Sequence, residues 1–546
     1  MPPPAPSFLQ WLLDWRRFCA LLLLLFLARA VFVLSVLPPF EGWDEYQHVA
    51  HIAYIAENGR SPVLMGENNV VPRSLYPGMV SLPHSRLGAE QMVHAGAKDY
   101  STFWEGERPT VRADAGPVAL YQAQQAPLYY WLMSPPWQLM RGSENLLAAV
   151  TVLRLINVCL GAAAVLVSLS VVGRIIRPGP ARYVIGLLIA VQPLFLLNAA
   201  RVANDALAIF LGTLVVSLLL VSLQKHFWLS AIGSGIALGL AVLAKATALT
   251  LIPFILFVLA SEAWRGRLTY RKAAAGLTVS LGLTLLVTFW YFQANFARYG
   301  VLTPLQESVL NHKAGKTVAD AIHAAWQIEW WKDLRPRCFE YNLWFGGWTW
   351  LEPPKLTRRP YAACLYLAAL GLCLGFRKQS RRDRLLFADG ITLMQVIAIC
   401  AAAFAGLAYH SIHTQMAWGT VAANSWYASA AFPWLICLYY QGAAFFGSRW
   451  APRLLASIML GAYLLTEALG TLTRMVPAYT GHSWGPIARE RLAQMHLPGM
   501  GPVLTLPALC TVFLLAAIAA TTAIAAGRLT ATLGQVSKVN PLSADR

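Results

Sequence analysis

The sequence predicts an all-α, polytopic membrane protein with about twelve transmembrane helices and two long extracytoplasmic loops. Composition is the first reason: of 546 residues, 57% are hydrophobic and only 12% are charged, whereas a soluble domain carries about 25% charged residues. The second reason is the repetition of apolar runs of about eighteen residues or more, the length that a helix needs to cross a bilayer. The third is that basic residues concentrate in alternate short loops between these runs, as in multi-pass membrane proteins.

The net charge of +18 would also suit a protein that binds nucleic acid. We expect no nucleic-acid partner, because many of the basic residues lie in short loops where they set membrane topology. The sequence contains neither a P-loop nor a Gly-rich dinucleotide loop, which argues against an ATP-driven pump and against a nucleotide-sugar enzyme with its site in water. Only Cys338 of the eight cysteines lies in a loop, so no loop disulfide and no metal cluster is expected.

The first apolar segment, residues 18–37, follows Arg16 and Arg17 and could be mistaken for a signal peptide. It is long for the apolar core of a signal peptide and lacks a clear small-residue cleavage site. We therefore predict an uncleaved span, preceded by a short cytoplasmic N-terminus over 1–17. Arg29 interrupts this span, and an arginine at that depth is expected to face the interior of the helix bundle rather than lipid.

A large first outer loop, about 39–147, follows the first span and carries the predicted site. It opens with two adjacent carboxylates, Asp44 and Glu45. The stretch 46–58 is predicted to form a helix along the membrane surface, because it has a helical pattern and ends at a stop signal, Asn58-Gly59.

Residues 118–140 are apolar and aromatic enough to span, but prolines interrupt them. We predict a broken helix that dips into the interface, since a full span here would place the basic clusters of every later loop on the wrong side of the membrane. The later spans are then predicted at about 148–173, 183–200, 205–223, 227–246, 248–262, 273–294, 360–376, 385–409, 424–446, 453–472 and 503–526.

This topology divides the chain into five parts. They are the cytoplasmic N-terminus 1–17, a membrane domain 18–296 that includes the first outer loop, a Trp-rich outer loop 297–359, C-terminal transmembrane helices 360–526 and a polar, unstructured cytoplasmic tail 527–546. The protein is expected in the inner (plasma) membrane with both termini cytoplasmic. The acidic pair then lies on the extracytoplasmic side.

Asp44 and Glu45 are the first candidates for chemistry, because charge placed where a membrane helix surfaces is costly unless it is used or solvated. A partly desolvated carboxylate has raised basicity, which suits it to take a proton from the acceptor in a glycosyl transfer from a lipid phosphate. The alternative is that both acids cap the N-terminus of the helix that follows.

Further candidates would hold the phosphate or the sugar. Gln125 and Tyr129 belong to a Pro-containing aromatic element, which would otherwise be a kinked interfacial segment. Arg201 could clamp a phosphate, and its alternative is an ion pair with Asp205. Lys245 breaks an apolar run, so function is the default hypothesis, with snorkelling to the interface as the alternative.

Two weaker candidates lie elsewhere in the predicted outer segments. Trp348, at the end of the Trp-rich stretch 341–348, could stack on a sugar face or a polyprenyl chain, although aromatic residues are usually interfacial anchors. His410, His413 and Gln415 could assist the acceptor, although surface histidines are usually incidental.

Four landmarks in the first 350 residues resemble the GT-C superfamily, the polytopic glycosyltransferases that use lipid-phosphate sugars. In chain order they are the acidic pair Asp44-Glu45, the element Gln125-Ala126-Pro127-Leu128-Tyr129-Tyr130-Trp131, the span start Arg154-Leu155 followed by Asn204-Asp205, and a Gly-rich span (Gly233, Gly235, Gly239) ending in Leu243-Ala244-Lys245. They are similar to protein O-mannosyltransferases and lipid A aminoarabinose transferases. The segment 344–348, followed by Pro353-Pro354, is closer to an uncharacterised bacterial membrane-protein family.

The resemblance implies an inverting hexosyl- or pentosyltransferase that moves a sugar from a polyprenyl-phosphate donor to a glycan, lipid or protein acceptor. Asp44 would be the catalytic base, with Glu45 assisting. The substrate-binding residues would be Gln125, Tyr129, Arg201, Asn204, Asp205, Lys245, His48 and Trp348. No cofactor is expected, and a divalent metal, which some members bind, is not favoured because the sequence shows one acidic pair and no second cluster.

Two positions depart from the pattern of the relatives. Gln125 stands where the aminoarabinose enzymes have a lysine, and Ser425-Trp426-Tyr427 stands where the uncharacterised relatives have Gly-Arg-Tyr. These departures leave the identity of the donor open and admit a catalytically inactive homologue. A transporter or flippase of a lipid-linked sugar is the alternative from another functional class, although no inverted repeat is detected.

Overall fold

The computed structural model describes residues 11–66, 69–106, 110–343, 347–349, 351–375, 384–422, 424–447 and 450–539. Within these residues the chain is helical, with isolated β-bridges and no strand. Several predictions lie outside the described residues, namely those for 1–10, for Trp344, Phe345 and Gly346, for the basic loop 376–383, for Arg449 and for 540–546.

Among the residues that the structure describes, thirteen α-helices precede residue 300. They are α1 (Trp15–Leu34), α2 (Glu45–Asn58), α3 (Tyr76–Val80), α4 (Arg86–Gln91), α5 (Tyr100–Glu105), α6 (Leu128–Leu139), α7 (Leu146–Ile175), α8 (Pro180–Ala190), α9 (Pro193–Ala199), α10 (Asp205–Ser217), α11 (Phe227–Ala244), α12 (Leu251–Trp264) and α13 (Tyr270–Tyr299). The later helices are α14 (Gln306–Lys313), α15 (Val318–Gln327), α16 (Trp330–Arg335), α17 (Lys355–Gly375), α18 (Gly390–Trp418), α19 (Phe432–Phe445), α20 (Trp450–Gly470), α21 (Val476–Thr480), α22 (Pro486–Gln494) and α23 (Pro502–Val539).

The described residues contain nine helices that are long and apolar enough to cross a membrane. With the turns that continue them, these cover residues 15–34, 146–175, 205–222, 227–244, 246–264, 270–299, 390–418, 450–480 and 502–527. The pair α8 and α9, bent by 46° where Pro193 begins the second helix, forms either a broken tenth span or a re-entrant loop. The all-α, multi-pass class predicted from the sequence is therefore confirmed.

The other two predicted spans, 360–376 and 424–446, are also helical but do not reach the length and apolarity of a span. The first corresponds to α17, which begins with the basic residues Lys355, Arg358 and Arg359. The second corresponds to α19, which has only 14 residues after a 3₁₀ turn, whereas about twenty are needed to cross the hydrocarbon core.

The polar tail, predicted to be unstructured from residue 527, instead continues α23 as far as Val539. No proline interrupts the chain between Pro507 and Pro541, so nothing in the sequence breaks the backbone hydrogen bonding of the helix there.

Arg29 faces the interior of the bundle, as predicted. Its guanidinium is buried and pairs with Glu467 on α20, and Nη1 donates a hydrogen bond of 2.6 Å to the carbonyl of Ala190 at the end of α8. The arginine thereby joins α1, α8 and α20, and its charge is paired inside the protein rather than exposed to lipid.

Both helices predicted for the first outer loop are present, and their position relative to the membrane stays a prediction. The stretch 46–58 lies in α2, which ends at Gly59 in the left-handed conformation with φ of 64°, a backbone geometry that glycine adopts without steric cost. The proline-interrupted stretch forms α6, whose 12 residues are too few to span a membrane. The two helices pack together, and Gln138 of α6 donates to the carbonyl of Ala56 on α2 at 2.9 Å.

Small residues let α11 and α13 approach closely. A Cβ atom added at Gly235 would lie 2.5 Å from the carbonyl oxygen of Ser280. Hydroxyl groups of α13 then bond to backbone carbonyls of α11: Thr284 donates to Gly235 at 3.0 Å and Ser280 donates to Ala231 at 2.9 Å. Close packing of small residues with interhelical hydrogen bonds is the usual way in which helices associate in a bilayer.

Candidate active site

Asp44 occupies the N-cap position of α2 but does not cap it. Its backbone is left-handed, with φ of 55°, and its side chain makes no hydrogen bond to the helix. The carboxylate instead accepts hydrogen bonds from the Tyr121 hydroxyl at 2.7 Å and from Nε2 of Gln122 at 2.8 Å. A left-handed conformation is uncommon for a residue with a side chain, and here it turns the carboxylate away from the helix axis.

Glu45 is buried and fully engaged by other groups. The Arg154 guanidinium donates two hydrogen bonds to its carboxylate, from Nε to Oε1 at 2.7 Å and from Nη2 to Oε2 at 2.6 Å. The backbone N–H groups of Val202 and Phe40 donate to the same carboxylate at 2.8 and 2.9 Å. Both carboxylate oxygens are therefore occupied by donors inside the protein. The structure therefore places Glu45 as a support of the turn that carries Asp44, and not as the assisting catalytic acid predicted from the sequence.

Arg201 is buried beneath that turn. Its Nη1 donates to the carbonyl of Trp43 at 2.6 Å, and its Nη2 donates to Asp205 at 2.7 Å and to Asn198 at 3.1 Å. The guanidinium also lies 5.2 Å from the centre of the Trp43 ring. The ion pair with Asp205, which the sequence analysis kept as the alternative for Arg201, is the contact that the structure shows.

Lys245 lies just after α11, in extended backbone. Its Nζ donates to Asp205 Oδ1 at 2.6 Å and lies 5.4 Å from the centre of the Tyr427 ring. Asp205 thus bridges Arg201 and Lys245, one cation on each oxygen. Two cations and one carboxylate leave this cluster with an excess positive charge.

Lys245 and Asp205 line a small cavity whose other walls are mostly apolar. Its apolar walls include Ala208, Ile209, Gly212, Leu251, Ile399 and Ala403, which belong to membrane-spanning helices. Trp426 and Tyr427 also line it, and Trp426 stacks on Trp43 with ring centres 4.1 Å apart. This stack connects the cavity to the residue that precedes Asp44.

The charges of Arg201, Lys245 and Asp205 affect the pKa of Asp44. Burial raises the pKa of Asp44 above its ordinary value, and the hydrogen bond from Tyr121 and the charges of Arg201 and Lys245 oppose that rise, while Asp205 adds to it. Because burial is the largest of these effects, the carboxylate is more basic than an exposed aspartate. It therefore has the character of a general base.

Gln125 and Asn204 come together beside Lys245. Nδ2 of Asn204 donates to Oε1 of Gln125 at 3.1 Å and to the carbonyl of Ala244 at 2.8 Å. These bonds fix the backbone immediately before Lys245. Within the part of the chain that the structure describes, the amide nitrogen of Gln125 donates no hydrogen bond, because Asn204 contacts only its oxygen.

Tyr129 and His48, both predicted to contact substrate, are placed as internal supports. Tyr129 is fully buried, and its hydroxyl bonds to Asn157. His48 is also buried, its Nδ1 lies 2.7 Å from the Tyr130 hydroxyl, and burial lowers its pKa well below the ordinary value. Both side chains are enclosed by α2, α6 and α7, and neither lines the cavity beside Lys245.

Trp348, the remaining predicted substrate contact, lies at a different place. Its backbone N–H donates to the carbonyl of Glu41 at 2.8 Å, and its ring packs against Tyr46 at 6.4 Å. It lines an open outer groove of about 1170 Å³ together with Tyr100. The structure does not bring Trp348 to the cavity that contains Lys245.

The sequence matches a family model described as "Predicted membrane protein (DUF2142)" over residues 24–416. The chain belongs to this family. The matched region contains Asp44, Arg201, Asp205 and Lys245, and it ends before the aromatic pair that closes the cavity, Trp426 and Tyr427.

Among solved structures, the DUF2142 chain is similar to ArnT from Cupriavidus metallidurans bound to undecaprenyl phosphate, with 14% identity, a TM-score of 0.46, and coverage of 93% of this chain and 74% of ArnT. It is also similar to an oligosaccharyltransferase from Archaeoglobus fulgidus tethered with an acceptor peptide, with 15% identity, a TM-score of 0.38, and coverage of 93% and 56%. ArnT and the oligosaccharyltransferase are GT-C glycosyltransferases, the superfamily that the sequence motifs resemble. No curated protein sequence matches this DUF2142 chain.

The structure adds residues to the site that the sequence did not single out. Tyr121 and Gln122 donate hydrogen bonds to Asp44 and lie one turn before the element that contains Gln125. Their closeness to that element was the only feature of the sequence that could have indicated a role in the site. Glu307 lies beside His410 at the outer end of α18, and nothing in the sequence indicated that pairing. Among the described residues, no three His, Cys, Asp or Glu side chains are grouped closely enough to hold a metal ion.

Proposed function

We propose that this DUF2142 chain is a membrane glycosyltransferase that moves a sugar from a polyprenyl-phosphate donor to an extracytoplasmic glycan, lipid or protein acceptor. One observation carries the proposal. A carboxylate with a raised pKa, Asp44, lies within electrostatic range of a cation, Lys245, which lines a cavity with apolar walls. A base, a phosphate-binding cation and a space for a hydrocarbon chain are the parts that such a transfer requires.

In this proposal the phosphate of the donor binds Lys245, and its isoprenoid chain lies along the apolar helices that line the cavity. The amide nitrogen of Gln125 is a second donor to the phosphate, because its oxygen is held by Asn204. Asp205 orients Lys245, since one carboxylate oxygen accepts a hydrogen bond from Nζ at 2.6 Å. Arg201 holds the other oxygen and keeps Asp205 in place.

Asp44 takes the proton from the acceptor hydroxyl or amide while the acceptor atom attacks the anomeric carbon of the sugar. The new bond forms as the bond from that carbon to the phosphate oxygen breaks, and polyprenyl phosphate leaves with the electron pair. Lys245 stabilises the charge that develops on the leaving phosphate. Direct displacement of this kind inverts the configuration of the anomeric carbon.

Asp44→Asn tests the proposal, with Asp114→Asn as the matched control. Asp114 lies in the same outer loop, is exposed and pairs with Arg112. Cells that lack the protein are complemented with each variant, and their envelope glycans and lipids are analysed by mass spectrometry. We expect Asp44→Asn to lose one glycoform and to accumulate a polyprenyl-phosphate sugar, whereas Asp114→Asn restores the wild-type profile.

Full complementation by Asp44→Asn would refute the transferase proposal. In that case a labelled lipid-linked sugar in vesicles containing the purified protein separates the remaining classes. Movement of the label between leaflets would identify a flippase, and its absence a non-catalytic membrane protein.

A further inference from the structure

We propose that α15 and α16 form an interfacial anchor, whose exposed apolar face lies in the headgroup region of the bilayer on the side of the membrane where Asp44 lies. The partner of this face is the lipid surface. The inference goes beyond the proposed function, because it holds whatever reaction the protein performs. Its basis is the exposure of the two helices, their composition and the level at which they meet α18.

The largest apolar side chains of α15 point away from the protein. Val318, Ile322 and Trp326 recur at intervals of four residues, which places them on one face of the helix. They are 77%, 56% and 85% exposed. Trp331 of α16 is exposed as well. Large apolar side chains grouped on a surface mark a contact with lipid or with another protein.

The opposite face of α15 packs on the protein. Ala324, which lies on that face, is buried, and so is Ile328 just after the helix. The neighbour of α15 is the membrane helix α18. A surface helix of a soluble protein turns its polar side outwards, whereas α15 turns a small alanine inwards and its bulkiest apolar side chains outwards.

The chain that follows α15 shows at which level the anchor meets α18. Leu334, on α16, packs against Leu407 of α18. A little further along, the ring of Phe339 stacks on that of Phe404 with ring centres 5.9 Å apart. Both contacts are with the C-terminal half of α18, so the anchor lies along this part of the membrane helix.

Phe404 and Leu407 belong to the last two turns of the mostly apolar part of α18. That part ends at Tyr409, about twenty residues after the helix begins, which is the length needed to cross the hydrocarbon core. The polar residues His410 and His413 follow in the next turn. The anchor therefore meets α18 close to the boundary between hydrocarbon and headgroups.

The composition of the anchor suits that boundary. Its tryptophans, Trp326, Trp330 and Trp331, are of the residue type that is enriched where headgroups meet hydrocarbon, because the indole ring is apolar and its N–H is polar. Lys316 and Lys332 are exposed at the two ends, and a lysine extends its ammonium group readily to lipid phosphates. A second copy of the chain would take these ammonium groups out of water, a cost that headgroups avoid.

Helix α14 places the anchor on the same side of the membrane as Asp44. The backbone N–H of Gln306 donates to Oε1 of Gln124 at 2.9 Å, in the turn that carries the partners of Asp44. Nδ2 of Asn311 donates to the carbonyl of His413 on α18 at 3.0 Å. The turn beside Asp44 and the polar end of α18 are therefore joined through α14.

Photolabelling of the full-length, unsubstituted protein tests the inference. The protein is placed in nanodiscs that hold one copy, with lipids carrying a diazirine either close to the headgroup or at the end of the acyl chain. Cleavage after Lys316 and Lys332 releases the anchor as peptide 317–332. The shallow diazirine should label this peptide about fivefold more than the deep one, because an interfacial helix lies only about 5–10 Å into the headgroup boundary.

Two peptides of the same digest are the controls. Residues 273–298 belong to α13 and include Leu286, an exposed residue near the middle of that membrane helix, so the deep diazirine should label them. Residues 87–98 include Val93, an exposed apolar residue of the first outer loop. Neither lipid should label this second peptide.

Ile322→Asn measures how much the lipid contact stabilises the anchor. Amide hydrogen exchange in peptide 317–332 should become about tenfold faster in nanodiscs, since the change removes apolar surface that lipid covers. Val93→Asn is the matched change at an exposed apolar residue outside the anchor, and exchange in peptide 87–98 should stay the same.

The inference is wrong if neither lipid labels peptide 317–332, or if Ile322→Asn leaves its exchange unchanged. It is equally wrong if lipid does not label the peptide while a crosslinker joins the peptides of two copies in vesicles, because the face would then be a contact between copies. None of these outcomes bears on Asp44, so the proposed function is tested separately by Asp44→Asn.

Discussion

Asp44 and Glu45 are adjacent in the chain, yet their carboxylates enter separate networks. The Glu45 carboxylate accepts two hydrogen bonds from the Arg154 guanidinium and one from the backbone N–H of Val202. Asp44 turns the other way through a left-handed backbone and accepts from Tyr121 and Gln122. We infer that the Asp44 carboxylate is free to exchange a proton and that the Glu45 carboxylate holds the turn in place.

Glu45→Gln should destabilise the protein rather than act on the chemical step. The change leaves Arg154 buried without a countercharge, and breaking a buried pair in this way costs about 3–5 kcal/mol. Thermal unfolding in detergent should show a large decrease in midpoint temperature. Glu90→Gln breaks an exposed pair with Arg86 and should leave the midpoint unchanged. Equal midpoints for both variants would contradict the supporting role of Glu45.

Lys245→Met should weaken donor binding while the fold is retained. The methionine fills similar apolar space, and Asp205 keeps its second partner, Arg201, so the remaining carboxylate is not left unpaired. Affinity for a polyprenyl phosphodiester should fall about 10- to 100-fold, the contribution of one charged hydrogen bond. Lys225→Met, at an exposed lysine before α11, is the control. An unchanged affinity in Lys245→Met would remove the lysine from the phosphate site.

Tyr121→Phe should move the acid limb of the pH–rate profile to higher pH. As a base, Asp44 works only when deprotonated, so the rate falls as pH drops through its raised pKa. The Tyr121 hydroxyl favours the carboxylate, and its removal raises that pKa further. Transfer at neutral pH should drop about two- to tenfold and recover at alkaline pH. Tyr270→Phe, at an exposed tyrosine, should leave the profile in place, and a loss in Tyr121→Phe that alkaline pH does not restore would contradict this role.

Gly235→Ala should loosen the contact between α11 and α13. The new methyl group would lie 2.5 Å from a backbone oxygen of Ser280, and backbone cannot move aside cheaply, so a loss of about 1–3 kcal/mol is expected. Gly282→Ala on α13 places its methyl group in open space and provides the matched control. The midpoint temperatures of thermal unfolding of the two variants are compared. A steric cause predicts a lower midpoint for Gly235→Ala and an unchanged midpoint for Gly282→Ala, so equal midpoints would contradict it.

The distribution of apolar residues was sufficient to predict the membrane class and most of the helices. A helix in lipid must satisfy its own backbone and expose apolar side chains, so its signal is contained in a local stretch of sequence. The surface helix α2, its end at Gly59 and the interrupted helix α6 follow from equally local signals. The same reasoning failed for the tail, where helix α23 continues through a polar stretch that no proline interrupts.

The sequence also predicted which residues could take part in catalysis or binding, but it did not predict the partners of those residues. It indicated Asp44 and Lys245 as unusual because each places charge against an apolar run. The residue pattern alone did not distinguish Asp44 from Glu45, and only the family resemblance named Asp44 as the base, because the partners of two neighbouring carboxylates cannot be read from the sequence. Arg154 lies 109 residues from Glu45, and only packing of the helices brings it there.

The sequence by itself therefore determined the helical membrane class, the positions of most membrane helices and several of the charged residues that needed an explanation. Only the tertiary structure decided which carboxylate is sequestered, that one aspartate bridges two cations, and that His410 meets Glu307. The physical reason is that burial and pairing set the basicity of an acid, and both depend on contacts between segments far apart in the chain.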